Sequence, residues 1–176
     1  MDIRPAGKED IDAIARIFDA ARSFMAENGN PNQWSAAYPT RHDVKRDIRR
    51  GSQFVCCDGD EIVGCFDFES GPDPRYRVLE DGAWLNKFDY FVIHRFAVLR
   101  GGQGIGRTML AWTCRASNNI RVDTHHDNKP MQSLLEGQGF IRCGTIRLPN
   151  GDLRIVYHYA RPDERPQKGG MDAWLR

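Results

Sequence analysis

The stretch Asp89-Tyr-Phe-Val-Ile-His-Arg-Phe-Ala-Val-Leu-Arg-Gly-Gly-Gln-Gly-Ile-Gly-Arg-Thr-Met-Leu110 decides the fold. A β-branched and aromatic run, Tyr90 to Val98, has the composition of a buried strand. It stops at Arg100, and Gly101, Gly102, Gly104 and Gly106 follow. Ile105, Met109, Trp112 and Ala116 then recur at helical spacing. A strand feeding a helix through glycines turns several backbone N–H groups toward one spot. The helix dipole adds about half a positive charge there, and missing Cβ atoms let an anion approach the backbone. The turn is therefore read as a phosphate or pyrophosphate cradle.

Two familiar nucleotide motifs come close and fail on one residue each. Gly101 to Thr108 departs from a Walker A loop because Arg107 stands where the compact lysine charge belongs. In the dinucleotide fingerprint, Gly102 and Gly104 supply two glycines, but the third falls on Arg107, where close helix–strand packing wants no side chain. Asp123 lies about where a ribose-binding acid would stand.

Composition narrows the remaining classes. The chain has 176 residues, enough for one domain, and a formal net charge of +1, which marks no nucleic-acid or membrane surface. Its basic cluster, Arg41–Arg50, is interrupted by Asp43 and Asp47 and reads as an exposed helix face. No apolar run approaches the roughly 20 residues that cross a bilayer. The opening Met1-Asp-Ile-Arg-Pro5 lacks the basic-then-apolar layout of a signal peptide, so a cytoplasmic chain is expected. Five cysteines without a Cys-x-x-Cys pair suggest neither a metal nor a disulfide; Cys56 and Cys65 sit in apolar strand runs as small hydrophobes.

In chain order, Asp2 to Ala6 reads as a strand, followed by a helix with Ile11, Ile14, Ala15, Phe18, Ala21 and Met25 on one face, ending at Asn28-Gly29. The loop from Asn28 to Pro39 carries Trp34 and Tyr38, which either pack onto the core or line a small-molecule pocket. Arg41 to Arg50 is a helix stopped by Gly51. Gln53–Cys57 and Ile62–Phe68 form a hairpin through Asp58-Gly-Asp60. Ser70 to Leu85 is a surface excursion that Asp81-Gly-Ala-Trp-Leu85 returns to a sheet edge. Ile120–His125 is a strand, Asn128 caps a helix with Met131, Leu134 and Leu135 inward, and Phe140–Arg147 with Leu153–Tyr159 makes a last hairpin. Asn150-Gly151 predicts a type I′ turn there. The expected domain covers residues 1–160, with a mobile tail over 161–176. The class is α+β, a mixed α/β fold with a mostly antiparallel sheet and helices on both sides.

Gly102-Gln-Gly-Ile-Gly106, after a strand ending Phe96-Ala-Val98, resembles the acetyl-CoA pyrophosphate loop of the GNAT acyltransferases, Gln/Arg-x-x-Gly-x-Gly/Ala. It departs at the first position, Gly101, with Arg100 one place early. Asn128 to Phe140 is similar to the later helix of that superfamily, which opens with Asn and closes in Gly-Phe. Glu27 to Trp34, Ile93-His-Arg95 and Asp123-Thr-His125 look like a bacterial branch of unassigned substrate.

The resemblance implies a twisted sheet of about seven strands with a splayed pair, flanked by about four helices. It implies acetyl-CoA as co-substrate, held by Phe96, Ala97, Val98, Gly101, Gly102, Gln103, Gly104, Ile105, Gly106, Arg107 and Asn128, and no metal. The acceptor would be a small amine beside Trp34, Tyr38, His94, Asp123 and His125. His94 is the candidate base: it stands two residues before Phe96, side chains alternate, so it shares a face with Phe96 and Val98, and neutral imidazole accepts a proton near pH 7. A half-buried structural histidine is the competing reading.

Asp123 and His125 share a strand face and either bind a cationic or hydroxylated acceptor, relay its proton as catalytic residues, or cap the Asn128 helix. Arg95 is assigned a structural or acceptor-orienting role. Leu135 occupies the position where many GNAT enzymes carry a tyrosine acid, leaving Tyr38, Tyr157, Cys143 or water to serve the departing thiolate. A CoA-binding sensor is the alternative function and a nucleotide-binding domain a weaker one. Nucleic acid and membrane are not expected partners, and a homodimer is compatible with the sequence without being demanded by it.

Overall fold

The computed structural model describes residues 1–161. Eight strands and four α-helices alternate in the order β1 (Asp2–Pro5), α1 (Ile11–Glu27), α2 (Arg41–Arg50), β2 (Gln53–Asp58), β3 (Glu61–Ser70), β4 (Asp81–Gly82), β5 (Phe91–Val98), α3 (Ile105–Ala116), β6 (Asn119–His125), α4 (Lys129–Gly137), β7 (Ile141–Arg147) and β8 (Leu153–Ala160). The sheet order is β1-β2-β3-β5-β6-β8-β7-β4. The two-residue strand β4 makes the eighth strand where about seven were expected; it pairs Asp81 with Thr145 and Gly82 with Gly144. The mixed, mostly antiparallel architecture is as read from the sequence.

The chain divides into two compact units that exchange segments: residues 1–68 with 94–110, and residues 69–93 with 111 onward. In the first, β1 pairs antiparallel with β2, and β2 with β3. Ile14, Ile17 and Phe18 of α1 and Val44 of α2 form a core with Val55, Cys65 and Ala97. Thr40 caps α2 by accepting from the Asp43 amide, and Gly51 ends it at φ 72°. Gly64 on β3 is a close approach: a Cβ there would lie 2.5 Å from Met109 Sδ and 3.1 Å from Ile105 Cγ2. The missing side chain lets the first turns of α3 seat against β3.

In the second unit, β5 pairs in parallel with β6 through Phe91–Ile120, Val92–Arg121 and Ile93–Val122. β6 pairs antiparallel with β8, and β7 with β8. Tyr76, Val92, Cys143, Ile146 and Val156 form its core. Three expectations are corrected here and in the first unit. The Ser70–Leu85 stretch is not wholly a surface excursion, because Tyr76, in a one-turn 3-10 helix behind the Asp73 cap and Pro74, is fully buried. The Arg41–Arg50 helix is not simply an exposed face: Val44 and Asp47 are buried. The last hairpin does not use a type I′ turn. Only Gly151 is left-handed there, at φ 91°, and the Gly151 amide donates to Leu148 O at 2.8 Å across Pro149 and Asn150. Type I′ needs positive φ at both central residues, and proline's ring forbids it at the first.

All five cysteines are free thiols. No helix among the described residues is long and apolar enough to cross a membrane. The expected tail lies outside the described residues except for Arg161, whose amide donates to Asn118 O at 3.0 Å.

Candidate active site

The glycine turn adopts the geometry its composition implies. Gly102 and Gly104 are left-handed, at φ 80° and 74°, with nothing within 4 Å of the place a Cβ would occupy. Gly101 to Gly104 are exposed, while Ile105, the first residue of α3, is buried at 3% and anchors the helix start. The α3 ladder begins with the Thr108 amide donating to Gly104 O at 3.0 Å. The first-turn amides of a helix have no partner within it, so those of residues 105–107 are available to an anion in the open space before them. Arg107 is exposed and adds a cation on the same turn. This arrangement fits a pyrophosphate: donors, dipole and clearance coincide.

Upstream, Ala97 is in the core, and the Phe96 ring lies 6.1 Å from that of Phe66. His94 is 8% exposed. Beside it β5 is irregular. Arg95 has φ 48°, the one non-glycine residue with positive φ among the described residues. Such a conformation costs on the order of 1–3 kcal/mol and persists only where the surroundings over-determine it. Like a bulge, it interrupts the two-residue alternation, so alternation alone no longer puts His94 on the face of Phe96 and Val98.

The Arg95 side chain supplies the over-determination. Its Nη2 lies 2.7 Å from Asp47 Oδ2 and 2.8 Å from Asp67 Oδ2, both carboxylates being buried. Its Nη1 donates to the Tyr38 hydroxyl oxygen at 3.3 Å. Asp47 is also bonded by Arg46 Nε at 3.0 Å. Burial works against the Arg95 charge, but Asp67, Tyr38 and Asp47 outweigh it and strengthen the hold on the proton. Arg95 is therefore structural, and through Tyr38 it positions a candidate site residue. Trp34 stands edge-on between Phe18 and Tyr38, at ring distances of 5.5 and 6.2 Å. The aromatic loop thus packs on α1 while leaving Tyr38 half-buried.

In the second unit, Asp123 accepts a hydrogen bond from the Tyr76 hydroxyl at 2.7 Å. Sequence reasoning missed Tyr76; the Asp73-Pro74 helix start before an aromatic residue was the signal available. Asp123 does not cap the Asn128 helix. His125 braces the turn before that helix: its Nδ1 accepts from the Asp127 amide at 3.2 Å and its carbonyl accepts from the Asn128 amide at 3.0 Å. Burial, then Arg154 and His126, lower the His125 pKa and favour neutral imidazole. His125, His126 and Asp127 offer three ligand atoms within 4.8 Å of one another, but the His125 Nδ1 lone pair already serves the Asp127 amide. Asn128 Oδ1 caps α4 by accepting from the Met131 amide at 3.2 Å.

Leu135, in the place of the tyrosine acid, is fully buried in the core. Tyr157 is also fully buried, donating to Glu136 Oε1 at 2.8 Å, and burial with that contact pushes its pKa up to about 12. Cys143 donates to Ile141 O at 3.4 Å, and burial raises its thiol pKa. Of the side chains considered for the acid, Tyr38 alone is not already spending its proton on a recorded carboxylate or carbonyl acceptor.

The model of the Acetyltransferase (GNAT) family matches residues 14–140, more than half of the chain. The chain belongs to the GNAT acetyltransferase family. Solved structures similar to it include a GNAT-family acetyltransferase from Streptococcus agalactiae, at 27% identity and TM-score 0.85, covering 92% of this chain and 96% of that one. At fold level it is also similar to a putative acetyltransferase from Staphylococcus aureus, at 23% identity and TM-score 0.65, covering 91% and 99%. A ribosomal-protein-alanine N-acetyltransferase from Brucella melitensis shares the fold at 19% identity and TM-score 0.62, covering 92% and 100%. No curated protein matches the chain. The family match spans the glycine turn, His94, Asp123 and the Asn128 helix.

Proposed function

We propose that this GNAT acetyltransferase moves an acetyl group from acetyl-CoA to the amine of a small molecule or an amino-acid-like acceptor. The observation that carries the reading is the cradle of left-handed, unobstructed glycines at the start of α3. Acetyl-CoA supplies the activated thioester when bound, and Gly101 to Arg107, with backbone groups of Phe96, Ala97 and Val98, would hold it. His94 takes the proton that an attacking amine must lose. Tyr38 holds the proton that a departing thiolate requires: Arg95 already donates to its oxygen, which leaves the phenolic hydrogen to be given. Trp34, Asp123 and His125 are the acceptor-binding candidates.

Thermal denaturation with acetyl-CoA, CoA, NAD and ATP in parallel tests the cofactor. A ligand at 100 times its Kd stabilises by about 2.7 kcal/mol, roughly 5–10 °C for a domain of this size. A shift with acetyl-CoA and CoA alone is expected; a shift with NAD or ATP alone would overturn the reading. Gly104→Val should abolish the acetyl-CoA shift, because it puts a branched side chain at a left-handed residue in the space the anion needs. Turnover is tested with a panel of amines and amino acids. His94→Ala should lower kcat/KM by about 10²–10⁴ with acetyl-CoA affinity intact. Binding of CoA without turnover of any amine would leave a sensor in place of an enzyme.

A further inference from the structure

A cleft of about 660 Å³ lies within the second unit, away from the glycine turn in sequence, lined by Asp73, Tyr76, Arg77, Trp84, Lys87, Phe88, Tyr90 and Arg121 among others. Its chemistry is unusual at Arg121. The residue is 5% exposed, yet no carboxylate among the described residues pairs with it. Its guanidinium carbon lies 3.8 Å from the centre of the Tyr90 ring and 4.2 Å from that of Trp84. Nη2 donates to the Asn86 carbonyl at 2.9 Å, and Nε is buried with no hydrogen-bond partner. Two aromatic rings thus flank the cation, while its Nε keeps an unused donor. A buried cation without a counter-charge is costly, and an orphaned donor adds to the cost.

The walls of the cleft are held in advance. Asn86 and Asn119 exchange side-chain hydrogen bonds at 3.0 and 3.1 Å, and Asn119 Nδ2 also donates to Asp89 O at 2.8 Å. Trp84 Nε1 donates to Tyr76 O at 3.1 Å. The Tyr90 hydroxyl oxygen accepts from the Asp73 amide at 3.2 Å. Asp73, the one acid among the lining residues, is paired with Arg75 at 2.6 Å. That leaves Arg121, Arg77 and Lys87 as an excess of positive charge. Phe88, 56% exposed, offers a flat apolar surface at the rim.

We propose that this cleft binds a small carboxylate carrying a flat apolar body, its carboxylate docked edge-on to Arg121 and its body against Trp84, Phe88 and Tyr90. A guanidinium edge presents parallel N–H donors that match the two oxygens of a carboxylate, and the pre-set walls lower the ordering cost of binding.

Titration calorimetry of the full chain with benzoate, salicylate and indole-3-acetate, each against its neutral primary amide, tests it. At least one acid should bind with a Kd below about 1 mM, and its amide at least about tenfold more weakly. Arg121→Met should weaken the acid by about tenfold or more, and the exposed pair Arg77→Ala with Lys87→Ala by a few fold with a smaller salt dependence. No acid binding, equal binding of acid and amide, or unchanged affinity in folded Arg121→Met overturns the site. Should Arg121→Met fail to fold, the acid-to-amide ratio and the rim pair decide it.

Discussion

One arginine in each unit is drawn largely out of water, and the two are accommodated in opposite ways. Arg95 lies between two buried carboxylates, Asp47 and Asp67, and its charge is spent on holding β5 in a left-handed kink. Arg121 has aromatic faces instead of carboxylates, and its charge is left to act on what surrounds it. Guanidinium serves both places because it is planar, weakly hydrated and permanently charged. The first arrangement builds a scaffold beside the candidate base; the second leaves a donor edge for a ligand.

The largest effect should come from breaking the carboxylate-bound arginine. Arg95→Leu leaves Asp47 and Asp67 buried without their shared cation, and a loss of about 3–5 kcal/mol in urea denaturation is expected. A loss under about 1 kcal/mol would show that Arg46 alone satisfies Asp47 and that Asp67 is otherwise compensated.

The uncompensated charge of Arg121 should show itself in pH dependence. His158 is fully buried; its Nδ1 accepts from the Leu85 amide at 3.2 Å, so Nε2 carries the proton toward Asn119 Oδ1 at 2.7 Å. Burial first, and Arg121 second, push its pKa down to about 4 from 6.5. Below pH 6.5 the unfolded chain takes up this proton and the folded chain does not, so stability is full above that pH and falls as the pH drops toward 4. The expected contribution is about 2–3 kcal/mol over that window. Denaturation of wild type and His158→Gln at pH 7 and pH 4 measures it; equal losses in the two proteins would assign the slope elsewhere.

The smallest effect should be the removal of Arg121 itself. Arg121→Met exchanges a buried unpaired cation for an apolar chain of similar length, and loses two ring contacts and one hydrogen bond. The change in stability should stay within about 1 kcal/mol, because relief of the buried charge offsets those losses. In the same variant the His158 resonance should titrate nearer its ordinary value. A loss as large as that of Arg95→Leu would erase the distinction between the two sites.

What was legible in the sequence was local. Helix periodicity placed α1, α3 and α4, and the cap at Asn128 set the start of α4. Gly102 and Gly104 revealed a left-handed turn before a helix, because only the residues in the turn decide that geometry. Even there, Pro149 ahead of Asn150-Gly151 changed the turn type, a local rule overriding a local motif. Asp47 and Tyr76 were misplaced on the surface, because polarity and proline content report average exposure and not a specific partner.

The chain alone determined the order of elements, the left-handed glycine turn and the GNAT acetyltransferase family, since each rests on short local blocks such as Gly102–Gly106 and Asn128–Phe140. Tertiary structure decided that Arg95 sits with Asp67, 28 residues away, and Tyr76 with Asp123, 47 residues away. It also decided that Arg121 finds rings in place of acids. Burying a charge is tolerable only with a specific partner, and such partners are brought together by sheet register and packing, not by any spacing along the chain.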